Sequence, residues 1–465
     1  MLMGLRFQAF PTPQQKHTLS QWMGCVRMIW NAKCQEYQYH LALARKLSHT
    51  GLFPPIDQTY SHFKNKELAP WLADCPSQLL RNSAANWYNT FQHHLKGLCG
   101  KPKPKKKHDN LSLHLTSELF FFDVCPDSRQ LKLFIGTKTN HIGVLAFNQH
   151  VPHFCLPKSI RIKKKNARYW LSFCYEDHLD DSKSLTQEQH LERLRTKTAE
   201  ELESLVEAVD CGIHIPAQTT RQGYDFTAEQ KRSMKREEKK KKRLQRALTR
   251  GKKGSRRREK KKWRIARSCE KSANIRKDFH HKTSKALVES AEVLVFEDLR
   301  IKQMTKRPKA KYNEETGKTE RKGVKAKAGL NRAILNVGWH QLQTFTEYKA
   351  YRAGKVTYKV SACYSSQECA DCGHTHPENR ASQASFVCQK CGHKDNADRN
   401  AAKVLKKRAI ERILDSGTEL SVRGVLLPDK GRGATRQTPA ANADGAGRRE
   451  ASKNRAAHPA RSSAL

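Results

Sequence analysis

Two stretches near the end of the chain, YSSQECADCG (364–373) and FVCQKCG (386–392), followed by ADRNAA (397–402), decide how the 465 residues are read. The first two each hold a Cys-x-x-Cys pair, Cys369 with Cys372 and Cys388 with Cys391, and fifteen residues separate the pairs. Two residues between cysteines let both thiolates of a knuckle turn toward one tetrahedral ion. Gly373 and Gly392 follow the second cysteine of each pair, where a tight turn is useful. The pattern predicts a four-cysteine zinc ribbon. Its Zn2+ is expected to be structural, because a closed four-sulfur shell leaves no position for water. Cys363, His374, His376 and His393 lie nearby as substitute ligands, but none has a better placed partner. The competing reading, two disulfides, conflicts with a reducing compartment. The opening MLMGLRFQAF lacks the apolar stretch and cleavage site of a secretory signal, so a cytoplasmic protein is expected.

Charge narrows the function classes. The formal net charge is +44, which argues against a small-metabolite enzyme and for a polyanionic partner, most often nucleic acid. No run of 18 apolar residues occurs, so no transmembrane helix and no membrane partner are expected. GKT at Gly317 to Thr319 ends like a Walker A loop, but Tyr312 stands where its first Gly belongs, and no HExxH occurs.

Leu5 to Phe10 reads as a short strand. Thr12, Pro13 and Gln15 then form a helix start with a capping box. Leu19, Trp22, Met23, Val26, Ile29 and Trp30 recur at helical spacing, as do Leu80, Ala84, Trp87, Phe91 and Leu95, so the chain to about Leu98 reads as helical with core-facing aromatics. KPKPKKK (101–107) marks a boundary. From Leu111 to Tyr175 the period changes to two, predicting a small sheet or barrel. Glu176 to Glu207 is acidic, with ten Asp or Glu against four Lys or Arg, and reads as a linker with a polar helix. In Lys231 to Ile265, twenty of 35 residues are Lys or Arg. With a thin apolar stripe and a turn at GKKGS (251–255), this predicts a helical hairpin lying along a phosphate backbone. After Asp415 periodicity is lost and the tail is expected to be disordered.

Three acids stand out by context. Asp210 ends the apolar stretch in LVEAVDCGIH, Glu297 closes the strand-like VLVFE, and Asp398 begins an apparent helix in NADRNAAKVL. Singly, each is more often solvated or capping. Together, two acids from strands and one from a helix can converge on a magnesium pair that holds a phosphodiester and activates the attacking water.

In this order the motifs resemble the TnpB family of transposon-encoded RNA-guided DNA endonucleases, related to the type V CRISPR effectors. The similarity runs from about Leu5 to Leu414. It is carried by LRFQAFPTPQQ, GKPKPKKKHDNLSLHL, the basic hairpin with DFHHKTS, VFEDLRIKQM, GLNRAILNVGW, YSSQECADCG, FVCQKCG and ADRNAA. The resemblance implies a multi-domain α/β protein in which a RuvC-like nuclease domain of RNase H-like fold contains the zinc ribbon. It also implies an N-terminal helical recognition region and a small wedge β-barrel. The boundaries expected are 1–14 for the first barrel strand, 15–100 for the recognition domain and 101–180 for the rest of the barrel. An acidic linker at 181–204 follows. The nuclease domain takes 205–362, with the hairpin at 228–290, and 395–414. The zinc ribbon is 363–394 and the tail 415–465.

The family's catalytic, magnesium-binding acids carry over to Asp210, Glu297 and Asp398. Asp210 would bridge both Mg2+ ions. Asp395 is a rival for the third acid, but DRNAA places the family residue at Asp398. The zinc ligands carry over to Cys369, Cys372, Cys388 and Cys391. A guide RNA from the transposon end, a target DNA and a nucleoid-associated location are implied as well. A guided binder with weak or no cleavage, a DNA strand transferase and a plain zinc-ribbon RNA-binding protein are the alternatives.

Overall fold

The computed structural model describes residues 2–46, 56–107, 111–124, 131–139, 141–148, 155–166, 168–176, 185–308, 311–313, 318–320, 323–382 and 384–427. Strand β1 (Leu2–Ala9) leads into helix α1 (Pro13–Lys46), and helix α2 (Ser77–Leu95) follows. Six strands come next: β2 (Ser112–Thr116), β3 (Phe120–Val124), β4 (Leu131–Gly136), β5 (His141–Leu145), β6 (Ser159–Lys165) and β7 (Arg168–Glu176). β1 pairs antiparallel with β7, so the start of the chain closes a sheet of order β1-β7-β6-β2, while β3-β4-β5 form a second. Their alternating apolar residues (Phe7, Leu115, Ile160, Leu171, Leu133 and Ile135) share one core with Leu19 and Met23 of α1 and Leu80 of α2.

The capping box is present. Thr12 Oγ1 accepts from the Gln15 amide at 3.2 Å, and Gln15 Oε1 accepts from the Thr12 amide at 3.0 Å. Gln15 Nε2 also donates to the Ile142 and Val144 carbonyls, both at 3.0 Å, fastening α1 to β5. The lysine run is a strap across α1. Trp30 Nε1 donates to the Lys103 carbonyl at 3.0 Å, and the Lys105 ammonium lies 3.4 Å from the Trp30 ring centroid.

The second half begins with α3 (Gln187–Arg195) and α4 (Ala199–Leu205), then β8 (Val206–Asp210), β9 (Ala217–Thr219) and β10 (Gly223–Tyr224). The basic hairpin is α5 (Ala228–Thr249) and α6 (Arg256–Ser290). It is followed by β11 (Val293–Glu297), α7 (Ile301–Met304) and the pair β12 (Lys311–Asn313) and β13 (Lys318–Glu320). Then come α8 (Val324–Val337), α9 (Trp339–Arg352), β14 (Val356–Val360), β15 (Ser385–Val387), β16 (Lys394–Asn396), α10 (Ala397–Leu414), β17 (Glu419–Leu420) and β18 (Leu426–Leu427). A mixed five-stranded sheet runs β10-β9-β8-β11-β14. β8, β11 and β14 are parallel, and β9 and β10 are antiparallel. Its central strands are buried on both faces, as a sheet between helices requires.

Two expectations give way. The acidic segment 181–204 is, from residue 185, no solvated connector. Thr186 and Thr198 cap α3 and α4 with full capping boxes, and Leu191, Leu194 and Leu202 enter the core under the sheet. Leu191 and Leu194, one turn apart on α3, and Leu202 on α4 suffice, because most of the acids stay on the outer face. Residues 415–427 of the expected disordered tail are also folded. Val425 and Leu426 are buried, and the Lys359 amide donates to the Gly424 carbonyl at 2.8 Å, so β17 and β18 lie against β14. An edge strand with open amides takes a partner wherever a short apolar pair such as Val425-Leu426 reaches it. The rest of that tail, 428–465, lies outside the described residues. Among the described residues no helix is long and apolar enough to cross a membrane.

Candidate active site

Side chains on a strand alternate between its faces. Along β8, Val206 and Ala208 enter the core that includes α10, while Val209 enters the core with α6, α8 and α9. Along β11, Val293 and Val295 take the first face and Leu294 and Phe296 the second. The same parity carries Asp210 and Glu297 to the α10 face. The parallel register pairs Val209 with Phe296, so the two acids end neighbouring strands side by side. α10 packs on that face and has Asp398 in its first turn, where the Asn396 side chain caps by accepting from the Asp398 and Arg399 amides. Three acids far apart along the chain are thus brought to the same end of the sheet, near enough for their charges to act on one another, although their oxygens do not all lie within 4.8 Å of one another.

Their electrostatics record that meeting. Burial is the main force pushing the Asp210 carboxyl well above its usual range, and the charges of Glu297 and Asp398 add to it. Burial likewise pushes Glu297 up to about 7, against the pull of the Ser365 hydroxyl, which donates to Glu297 Oε1 at 3.2 Å, and of the Cys211 N–H. The protein supplies little compensating charge. Arg380 pairs with Asp398 at 3.1 Å and draws Asp210 down, and Arg408, itself paired with Glu368, draws Glu297 down, but burial outweighs both. Oxygen-only, with Glu297 buried and Asp210 and Asp398 half-buried, this donor set fits a hard divalent cation such as Mg2+.

The rival Asp395 is differently employed. Its carboxylate is almost wholly buried and accepts from Lys403 at 2.8 Å and Arg399 at 2.6 Å, which hold it below the usual range against its burial. Glu207, also buried, sits at the opposite parity on β8. It accepts from the Thr220 amide and hydroxyl, both at 2.7 Å.

The four predicted cysteines do converge. Among the described residues, Cys369, Cys372, Cys388 and Cys391 are the one group of three or more candidate ligands with donor atoms all within 4.8 Å of one another. Cys369 and Cys391 Sγ are 3.7 Å apart, and Cys372 and Cys388 Sγ 3.6 Å. Four sulfurs about 2.3 Å from a tetrahedral zinc would sit about 3.8 Å apart, so the cluster fits Zn2+. Gly373 and Gly392 both adopt φ 72°, and their amides donate back to the Cys369 and Cys388 carbonyls, forming the two knuckles. The cluster and the acids share a brace: buried Asn400 on α10 accepts from the Ala370 amide at 3.0 Å and donates to the Glu368 carbonyl at 2.7 Å. Cys363, His374, His376 and His393 stand outside the cluster.

Sequence reasoning missed Arg380 and Ser365, which touch the acids from the ribbon and from the loop before it. No spacing rule marks either one. The only available signal was position, between the first and second cysteine pairs and just before the first.

The class defined by this fold and site is a multi-domain α/β protein with a carboxylate cluster at one sheet end and a zinc-type cluster beside it. Three family models match it in order: a helix-turn-helix domain over residues 1–39, a probable transposase over 175–308 and a Cas12f1-like TNB domain over 339–405. The order of these models agrees with the resemblance to the TnpB family. A putative RNA-guided DNA endonuclease, InsQ, of Escherichia coli (strain K12) is 27% identical over 403 residues, covering 86% of this chain and 91% of its own. A putative RNA-guided DNA endonuclease of Streptomyces pristinaespiralis is 23% identical over 405 residues, covering 86% and 87%. A Cas12f1 CRISPR-associated endodeoxyribonuclease of Sulfoacidibacillus thermotolerans is 38% identical over 84 residues, covering 18% and 20%. Within residues 1–39, matched by the helix-turn-helix model, the described residues 2–39 fold as one strand and most of one long helix.

Proposed function

We propose that the chain is a transposon-encoded, RNA-guided DNA endonuclease that hydrolyses target DNA at Asp210, Glu297 and Asp398. The observation that carries this is the convergence of those acids, by strand parity and helix position, at one end of the mixed sheet. Relatives matched over most of their length bear the same activity in their names. The strand order, with three parallel central strands and an antiparallel flank, supports an RNase H-like, RuvC-type nuclease domain. The two small sheets sharing one core support the wedge barrel, with α1 and α2 as the recognition helices beside it.

Asp210, Glu297 and Asp398 are the residues that would hold the two Mg2+ ions. Bound there, the ions supply Lewis acidity to the scissile phosphate and to the attacking water. The residues do the positioning. Ser365 fixes Glu297 Oε1, the Cys211 N–H steadies the ends of both strands, and Arg380 brings a positive charge to the rim, where a phosphate oxygen can take the place of Asp398 as its partner. The α5–α6 hairpin, with lysines and arginines in excess of what its few acids pair, suits the phosphates of a guide RNA transcribed from the transposon end and of the target DNA. The protein would read shape and a short adjacent motif, and base pairing would read the sequence.

The test is the ribonucleoprotein purified with its own RNA. Sequencing that RNA defines the guide, and a matching duplex is expected to be cut in Mg2+ by the wild type and not by Asp210→Ala. Equal behaviour of the two would overturn the assignment. Because one matching family model is described as a probable transposase, the products are read for joining as well as hydrolysis. Joined strands would mark a strand transferase instead.

A further inference from the structure

Two described non-glycine residues have φ in the left-handed region, Asn166 at 52° and Tyr364 at 58°. Asn166 needs no special account. It lies in the turn from β6 to β7, asparagine tolerates this region, and its side chain donates to Glu270 on α6 at 3.2 Å. Tyr364 is different. A bulky aromatic with positive φ is an outlier, and glycine would occupy the position without cost.

The loop around Tyr364 holds it there. Its carbonyl accepts from the Gln367 and Glu368 amides at 2.9 and 3.0 Å, and Arg408 anchors both ends of the turn through the Ser361 carbonyl and Glu368. Yet the residue is 61% exposed. Among the described residues it makes no hydrogen bond, ring stack or cation contact. The fold therefore maintains a strained backbone to present a flat aromatic ring that serves no packing purpose. Such strain persists where the surroundings over-determine it and collects at ligand sites.

Its place says which ligand. The next residue is Ser365, whose hydroxyl touches Glu297 Oε1. The ring thus stands one residue from the contact that orients a proposed catalytic acid. We propose that Tyr364 is a stacking platform for a nucleobase of the DNA strand being cut, next to the scissile phosphate. This rests on the nuclease reading above. A base inside a duplex already has stacking partners on both faces, so the strand engaged here would be unpaired at that nucleotide. Base–aromatic stacking of this kind is tolerant of sequence.

The experiment compares Tyr364→Phe, Tyr364→Ala and Tyr364→Gly in the complete ribonucleoprotein. The substrate is a duplex matching the sequenced guide, and cleavage is followed across DNA concentrations. Phe is expected to behave as wild type. Ala and Gly are expected to lose roughly tenfold at low DNA concentration and to recover most of the rate at saturation. Gly, which relieves the backbone, is expected to melt no lower than wild type, so its loss cannot be ascribed to misfolding. Unchanged cleavage by all three variants would overturn the stacking role and leave the nuclease reading standing.

A second arm separates the two failures. In an Asp210→Ala background, a single-stranded oligonucleotide carrying 2-aminopurine is titrated into the complex. Quenching that Tyr364→Ala removes and Tyr364→Phe keeps supports the platform even if the wild type cuts nothing. Quenching indifferent to residue 364 overturns it.

Discussion

The thiolate cluster and the carboxylate cluster lie close together, yet they are assembled in opposite ways. The four cysteines come from 23 consecutive residues, Cys369 to Cys391. Each knuckle is closed by its own Gly and backbone amide, so the ligand geometry is nearly complete within the local chain. The three acids come from two strands and a helix, and only the pairing of β8 with β11 and the packing of α10 bring them together. The thiolate site is a local structure that the fold accommodates. The acid site is a product of the fold, and it is built against its own repulsion. Perturbations should therefore injure the two in different ways.

The largest expected effect is on chemistry. Asp210→Asn should lower cleavage by about 10^3-fold or more while leaving guide and target binding nearly intact, measured by gel cleavage and filter binding. Next, Cys388→Ser should release zinc, read by mass spectrometry of the native protein. Because Asn400 ties the ribbon to α10, cleavage should fall as well, on the order of a hundredfold. If zinc is lost and cleavage is unchanged, the two centres are independent.

Third comes pH. Glu297 has a folded pKa raised from its ordinary 4.5 to about 7, and Asp210 is raised as well. A raised folded pKa means the folded protein binds the proton more tightly. Its contribution is complete below the unfolded value and is lost as pH rises through the folded one. With metal chelated by EDTA, stability should fall between pH 5 and pH 8, by on the order of 3 kcal/mol from Glu297 alone. Mg2+ should restore it at pH 8 far more than at pH 5, which thermal melts would show.

Smaller again, Ser365→Ala removes one hydroxyl from Glu297 and should raise that pKa further, moving the alkaline-rising limb of the cleavage profile upward with a rate loss at pH 7 of about fivefold. The smallest effect expected is that of Asp395→Asn, within about threefold, because that carboxylate is already engaged by Lys403 and Arg399. An effect as large as that of Asp398→Asn would exchange their roles.

Much of this was legible in the residues. Cys-x-x-Cys spacing, the Thr12–Gln15 capping box, the basic hairpin with its turn at 251–255 and the acids at the ends of buried strands are local patterns, and each is found where the pattern puts it. The segments misread had weak local signals. In 185–204 the acidic surface outweighs three leucines, although those leucines are what anchor α3 and α4. In 415–427 only Val425, Leu426 and Leu427 interrupt a polar stretch, and their partner, the edge of β14, comes from residues far earlier in the chain. Arg380 and Ser365 likewise have no motif of their own, and they matter through what lies beside them in space.

The sequence by itself determined the thiolate cluster and the charge that calls for a polyanion, and it singled out three carboxylates by their context. Each of these depends on residue type and short spacing. Only the tertiary structure decided that Asp210 and Glu297 share a face with Asp398, that Asp395 is already engaged by Lys403 and Arg399 while Glu207 lies at the opposite parity, and that Tyr364 stands exposed in a strained turn. Parallel strand register, helix packing and the balance of burial against charge act between residues far apart along the chain, and no local pattern carries them.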